Sequence, residues 1–313
     1  MEAGGRGDGR SVSGACQVSL GIVIVTFHCR ELALTCLESI ARHAPGALAS
    51  TVVIDNDSRD GTAEAIRGAF PAVRVVENQR NAGFATAVNA GLAALPEPTV
   101  VCLLNPDSVL LDGNAVEAAR YLDVHAEIGV LGGRIVNEDG SLQPSARAFP
   151  SHLNAFFNRH SLTTKLFPGN RWSSRYLMTD WAHDEVRDVD WVSGAFMLIH
   201  RRAIEAVGPL DEGYFFSIED VDYCRRVRDA GLSVVYYPMT TVRHRVGGSS
   251  KHAVYRAMAA HHLGMWRYYR RHMRGNLALD LLTAGAIGGR FCIHAVSYSL
   301  RTAKNRILGR PNP

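Results

Sequence analysis

Four short runs of β-branched and apolar residues, VSLGIVIVTF (18–27), TVVID (51–55), VRVVEN (73–78) and TVVCLL (99–104), are separated by segments of helical pattern. Runs without polar alternation read as strands buried on both faces. Between them lie an amphipathic stretch over roughly 30–43, TAEAIRGAF after the polar turn NDSRDG, and FATAVNAGLAAL (84–95). Strands alternating with helices require right-handed crossovers, so the expected class is α/β, a mostly parallel sheet flanked by helices. A chain of 313 residues, 47% hydrophobic, has ample material for such a core.

Charge excludes one class of partner. A formal net charge of +4 lacks the concentrated basic footprint of a dedicated nucleic-acid binder, while anionic small molecules and membrane surfaces stay open. Cys16, Cys29, Cys36, Cys102, Cys224 and Cys292 are scattered with no CxxC pair, which reads as reduced, buried thiols in a cytoplasmic protein. The stretch MEAGGRGDGRSVSG has no apolar core for a secretory signal, so residues 1–17 read as a disordered leader.

In open α/β sheets ligands bind beyond the carboxyl ends of the strands. Asp55 and Asp57 follow TVVID, and Asp107 follows TVVCLL within LLNPDS. Turn chemistry alone also accounts for such residues. Neither GxGxxG nor GxxxxGK[ST] occurs at the first strand, so a nucleotide would be held by side chains and a metal ion. Magnesium or manganese suits that arrangement, because a carboxylate and the substrate's phosphates complete the shell, and Asp107 fits the part. In FFSIEDVDYCRRVRDAG, Glu219, Asp220 and Asp222 open a helix-like stretch. Acids there serve as dipole partners worth about 0.3–1 kcal/mol, but three in four residues exceed what capping needs.

Beyond residue 250 the pattern is helical. KHAVYRAMAAHHLGMWRYYRRHMR is aromatic and basic, and the apolar segment after it is interrupted by Asp280, Arg290 and His294. A membrane span wants about 20 apolar residues with few charges, so these read as helices lying at a membrane interface or packing on protein.

The motifs VIVTFHCRELALTCLESI, VVIDNDSRDGT, NQRNAGFATAVNAG, LLNPDS, VDWVSGAFMLIHRRA and FFSIEDVDYCRR, in that order, resemble the family-2 inverting glycosyltransferases of GT-A fold, nearest their rhamnosyltransferase-like branch. The resemblance covers about residues 18–250: a nucleotide-sugar-binding half (18–112), an acceptor and catalytic half (113–250), then a helical extension (251–313). It implies a nucleotide-diphospho-sugar donor, a divalent metal (Mn²⁺ or Mg²⁺) and a single displacement. By position, Thr26, Asp55, Asn56, Asp57, Asn81, Gly83, Asn89 and Asn105 would bind the donor. Asp107 and His244 would hold the metal, with Arg243, Arg245 and Ser249 near phosphate oxygens. Asn105 stands where the family has the first acid of its metal motif. Trp191, Gly194 and Glu219 would face the acceptor, and Asp220 would be the general base. The implied reaction moves rhamnose from dTDP-rhamnose to a polyprenyl-diphosphate-linked or polysaccharide acceptor in cell-envelope assembly, by a protein peripheral at the inner face of the membrane. Self-association stays open. UDP-galactofuranose or UDP-N-acetylglucosamine are alternative donors; a nucleotidyltransferase and a non-catalytic nucleotide-sugar binder are rivals from other classes.

Overall fold

A computed structural model describes residues 18–151, 178, 181–245, 247 and 254–308. The expected leader, Cys16 and Ser249 lie outside them. Each apolar run forms a strand where expected: β1 (Leu20–Thr26), β2 (Thr51–Asp55), β3 (Arg74–Glu77) and β4 (Val100–Leu104). The segments between them fold as α1 (Arg30–His43), α2 (Thr62–Ala69) and α3 (Phe84–Ala94). These four strands pair in parallel, so Thr26, Asp55 and Leu104 finish along one edge of the sheet.

The rest of the chain completes the sheet. In chain order come β5 (Ser108–Leu110), α4 (Ala115–Val124), β6 (Ile128–Val136), β7 (Leu142–Gln143), β8 (Ala146–Arg147), β9 (Arg187–Asp188), β10 (Trp191–Val192) and β11 (Phe196–His200). Then follow α5 (Arg201–Val207), α6 (Glu219–Asp229), β12 (Ser233–His244), α7 (Val254–His272) and α8 (Leu277–Ile307). The order across the main sheet is β3-β2-β1-β4-β11-β6-β12-β5, with β7 on β6, β9 on β12, and a separate β8-β10 pair. Strand β11 runs antiparallel to β4, Phe196 opposite Leu104, so the residues entering β11 stand beside the exit of β4. Strand β12 breaks register on β6 between Tyr237 and Thr241, around Pro238, whose missing N–H cannot serve a ladder.

The pleat explains why the runs are apolar throughout. Along β1, Leu20, Ile22 and Ile24 face α1, α2 and α4, while Val23 and Val25 face α3, α5 and α6. Each fully buried aliphatic side chain contributes about 1.5–3 kcal/mol. Four thiols behave as small hydrophobes in this core: Cys29, Cys36, Cys102 and Cys224 are buried and unlinked, and burial pushes the Cys29 thiol up to about 12. Cys292 departs from the expectation and is exposed on α8.

The C-terminal helices differ in how they are held. α7 is pinned to α6 and its approach, His272 to Asp222 at 2.8 Å and Arg267 and Arg271 to Asp211 at 2.8 and 2.6 Å. α8 packs on α7, through bonds of Tyr255 to Ser299 and Tyr269 to Asp280, and none of its residues is buried. By length and composition α8 could cross a membrane, contrary to the sequence argument from its charges. Asp280 accepts from the Tyr269 hydroxyl at the α7–α8 corner, and between it and Arg301 the sequence has a single Asp, Glu, Lys or Arg, Arg290.

Candidate active site

The turn after β4 is fixed by backbone. Asn105 N–H donates to Ala195 O (3.1 Å), Ser108 N–H to Asn105 O (3.0 Å), and Ser108 Oγ to Ala195 O (3.2 Å). β5 then pairs antiparallel with β12, setting Ser108 opposite His244, and that register brings His244 Nε2 to 3.3 Å from Asp107 Oδ1. Asp107 is buried, and its carbonyl accepts from Arg245 N–H. On the other side of the imidazole, Nδ1 lies 2.8 Å from Gln143 Oε1. Gln143 thereby fixes the ring with its Nε2 edge toward the Asp107 carboxylate. A carboxylate and an imidazole nitrogen meeting in a buried corner are ligand types that a divalent cation takes. No group of three or more His, Cys, Asp or Glu converges among the described residues. The pair therefore fits a Mn²⁺- or Mg²⁺-type ion that takes the rest of its shell from water and substrate phosphates. The Asn105 carboxamide makes no hydrogen bond among the described residues.

The acidic cluster stands at the start of α6. Just before it, Ser217 and Ile218 both take left-handed conformations, φ +66° and +74°. A β-branched residue there is strained, at about 1–3 kcal/mol. α7 holds the turn: Ser217 Oγ lies 3.1 Å from His261 Nδ1, and Gly264 packs under the Ser217 carbonyl, where a Cβ would come within 3.1 Å. Asp220 Oδ2 accepts from Gly194 N–H (3.1 Å) and Oδ1 from Val221 N–H (2.9 Å). Burial raises its carboxyl above the ordinary range, against the pull of those amides and of Arg147. Glu219 is buried, its Oε2 has no hydrogen-bond partner among the described residues, and burial followed by the Asp220 charge push it well above the ordinary range. Of the two, Asp220 is the member with backbone N–H donors to favour its charged form. Asp222 has another task. Fully buried, it accepts from Tyr214, His272 and Arg226, and although burial opposes ionisation, the His272 and Arg226 bonds outweigh it and hold the carboxyl below the usual range.

A cavity of about 680 Å³ is lined by Asp57 and Asn81 together with Phe27, His28, Arg59, Arg80, Glu212 and Arg256. A smaller adjoining cavity of about 90 Å³ is lined by Asn56, Asn81, Gly83, Phe215 and Arg256. Thr26 and Asp55 face neither. Thr26 Oγ1 donates to Asp55 Oδ1 at 2.8 Å, and the Asp55 oxygens also take the Ser58 N–H and hydroxyl, so both side chains are spent on building the turn. Asn56 bonds to Asn78, Asn81, Ala82 and Gly83, fixing the loop that enters α3. Gly83 has φ +91°, and a Cβ there would meet the Phe215 carbonyl at 2.8 Å, so only glycine lets this loop reach the turn before Asp220.

Two expected contacts are corrected. Asn89 bonds to the Leu210 backbone and to Glu212 Oε1 (3.0 Å), so it orients a cavity residue from outside the cavity. Trp191 is no open stacking wall: it sits in the core, its Nε1 donates to Ala148 O (2.9 Å), and the Arg147 guanidinium lies 5.5 Å from its ring centroid. Arg80, Glu212 and Arg256 were invisible to motif reading. An arginine inside NQRNAG was the available signal for the first, and the other two depend on distant elements folding back.

Comparison with known proteins shows the family and the fold. The family model for "Glycosyltransferase like family 2" matches residues 18–275. The N-acetylglucosaminyl-diphospho-decaprenol L-rhamnosyltransferase of Mycobacterium tuberculosis is 34% identical over 252 residues, covering 74% of this chain and 81% of that protein. Rhamnosyltransferase WbbL of Escherichia coli is 32% identical over 83 residues, 26% of this chain and 31% of the relative. Among solved structures, GalNAc-T7 with UDP, GalNAc and Mn²⁺ superposes with a TM-score of 0.56 at 15% identity, over 87% of this chain and 55% of the other. The Pyrobaculum calidifontis mannosyltransferase PcManGT with GDP-Man and Mn²⁺ gives 0.56 at 15% identity, over 92% and 76%. Both share the GT-A architecture. The chain belongs to the family-2 glycosyltransferases.

Proposed function

We propose that this glycosyltransferase moves an L-rhamnosyl group from dTDP-rhamnose to a hydroxyl of a sugar linked through diphosphate to a polyprenol, at the inner face of the membrane. The observation that carries this reading is the 34% identity running along 81% of a relative whose name states that sugar and that acceptor. The acidic pair supports the chemistry. A hydroxyl is a poor nucleophile until a positioned base begins to take its proton, and Asp220 is a carboxyl oriented by two backbone N–H groups with a raised proton affinity. As the acceptor oxygen bonds to the anomeric carbon, its proton passes to Asp220, and the bond to the donor diphosphate breaks with its electron pair. Burial and the Asp220 charge hold Glu219 toward its neutral form, and with Asp220 acting as the base the reaction is a single displacement that inverts the anomeric centre. Asp107 and His244 would hold a divalent ion, which supplies positive charge to the departing diphosphate.

The reading is tested with purified full-length chain, a short N-acetylglucosaminyl-diphospho-prenol, and dTDP-rhamnose beside UDP-galactofuranose and UDP-N-acetylglucosamine, with and without Mn²⁺. Transfer from dTDP-rhamnose, with the product anomer opposite to the donor's by NMR, is expected. Transfer from a UDP-sugar alone would replace the donor assignment.

A further inference from the structure

The two C-terminal helices enclose a groove of about 380 Å³ on the side of α7 that faces α8. Ala259, Leu263 and Trp266 line it from α7, and Ile287, Gly288 and Phe291 from α8. We propose that this groove holds the prenyl chain of the acceptor, an inference that rests on the lipid-linked reading above.

Continuity along α7 selects that occupant. Arg256 lines the large cavity and its annex, Ala257 lines the annex, and Ala259 already lines the groove. Three residues of helix advance about 4.5 Å, so the Arg256 cation at the cavity and the groove between the helices lie within one turn of each other. A sugar-diphospho-prenol has that order: a sugar to be presented to Asp220, an anionic diphosphate, then a hydrocarbon chain. Arg256 is available to such an anion. Its guanidinium lies over the Phe215 ring, 4.4 Å from the centroid, and it forms no ion pair with a carboxylate among the described residues. The opposite face of α7 carries His261 and Gly264 against the turn before Asp220, so the helix puts the groove on one side and the base on the other. The groove lies between the two helices and its volume suits part of one chain, whereas the outer face of α8, with Leu282, Ile293, Val296 and Leu300 exposed, is the surface suited to a bilayer.

The structure also supplies a plug. A Cβ at Gly288 would meet nothing within 4 Å, so Gly288→Leu fills groove space without displacing backbone. Titration of the full chain with farnesyl phosphate, followed by calorimetry and by Trp266 fluorescence, should show saturable binding that inorganic phosphate does not reproduce. Gly288→Leu should weaken it tenfold or more while melting stays within a degree or two. In transfer assays the same variant should lower the ratio of kcat/KM for long-chain over short-chain acceptors tenfold. Equal farnesyl phosphate affinity in wild type and Gly288→Leu overturns the proposal, as does competition by inorganic phosphate at similar concentration. So does a variant that loses flotation with vesicles but keeps farnesyl phosphate, since the face then belongs to the bilayer. Farnesyl phosphate binding that the plug abolishes, in a chain that transfers to no prenyl-linked sugar, would retain the groove and discard the acceptor reading.

Discussion

Asp220→Asn keeps the size of the side chain and removes its ability to take a proton. The structure fixes what else is lost. Both carboxylate oxygens accept backbone N–H groups, from Gly194 and Val221. An asparagine has one carbonyl oxygen, so one of the two amides is left facing an NH₂, at a cost of about 1–3 kcal/mol. A domain stable by about 5–15 kcal/mol survives that. The chemical step should fall by about 10²–10⁴, equivalent to about 2.7–5.4 kcal/mol of barrier, the range of general-base catalysis. The pH profile carries a second signature. Because burial raises the Asp220 carboxyl, wild-type turnover should fall with decreasing pH through a value above the ordinary aspartate range, and the Asn variant should lose that limb. Single-turnover transfer with both substrates saturating reads the step, and calorimetric titration of the nucleotide confirms an intact donor site. Asp222→Asn is the comparison, since that carboxylate contacts Tyr214, Arg226 and His272 and should cost stability rather than chemistry. Turnover of Asp220→Asn within about threefold of wild type, or an equal loss per folded molecule in both variants, would remove Asp220 from the reaction.

Three further outcomes are expected. Glu219 is raised in the folded state, so its contribution is complete below the ordinary glutamate value of 4.5 and is lost as pH climbs toward the raised value; Glu219→Gln should flatten the fall of melting temperature over that interval, and parallel slopes would contradict the assignment. Asp107→Ala should weaken Mn²⁺-dependent nucleotide binding far more than metal-free binding, and equal losses by calorimetry would leave Asp107 a turn residue only. Ser217→Gly relieves a left-handed side chain and should raise the melting temperature while lowering kcat, with His261→Phe lowering kcat and His261→Asn restoring part of it; changes in donor KM alone would show that this turn does not place Asp220.

The half of the fold built from local strand–helix units was legible because each unit declares itself within about 30 residues. The β4-β11-β6-β12 centre was not, since FMLIH and SVVYYPMTTVRH find partners far away in the chain and carry no mark of which strand they join. At the site, residues just past strand ends were readable as a class, and Asp107 does stand at such a place, whereas Asp220 opens a helix that follows another helix. Their individual tasks were not readable. Thr26 and Asp55 look from sequence like ligand contacts and are consumed by their own turn, because a short polar side chain in a turn finds backbone and neighbours before it finds a ligand. Trp191 shows the converse, since composition cannot say which face of a short strand is covered.

α7 is the element whose importance the motifs least suggest. It contributes Arg256 to the large cavity, His261 and Gly264 to the turn before Asp220, and His272 to the buried Asp222. Two consecutive left-handed residues cost about 1–3 kcal/mol each and persist only where their surroundings over-determine them. Those surroundings are α7 on one side and the Gly83–Phe84 loop on the other, where Phe84 N–H donates to Phe215 O at 2.7 Å. The same short segment is therefore gripped by the Gly83–Phe84 loop and by the last helix of the family match, which ends at residue 275. Loosening either grip lets the strain relax at the residues that set Asp220. Damage to α7 should accordingly reach the base before it reaches the core, and the catalytic body of this enzyme physically includes that helix.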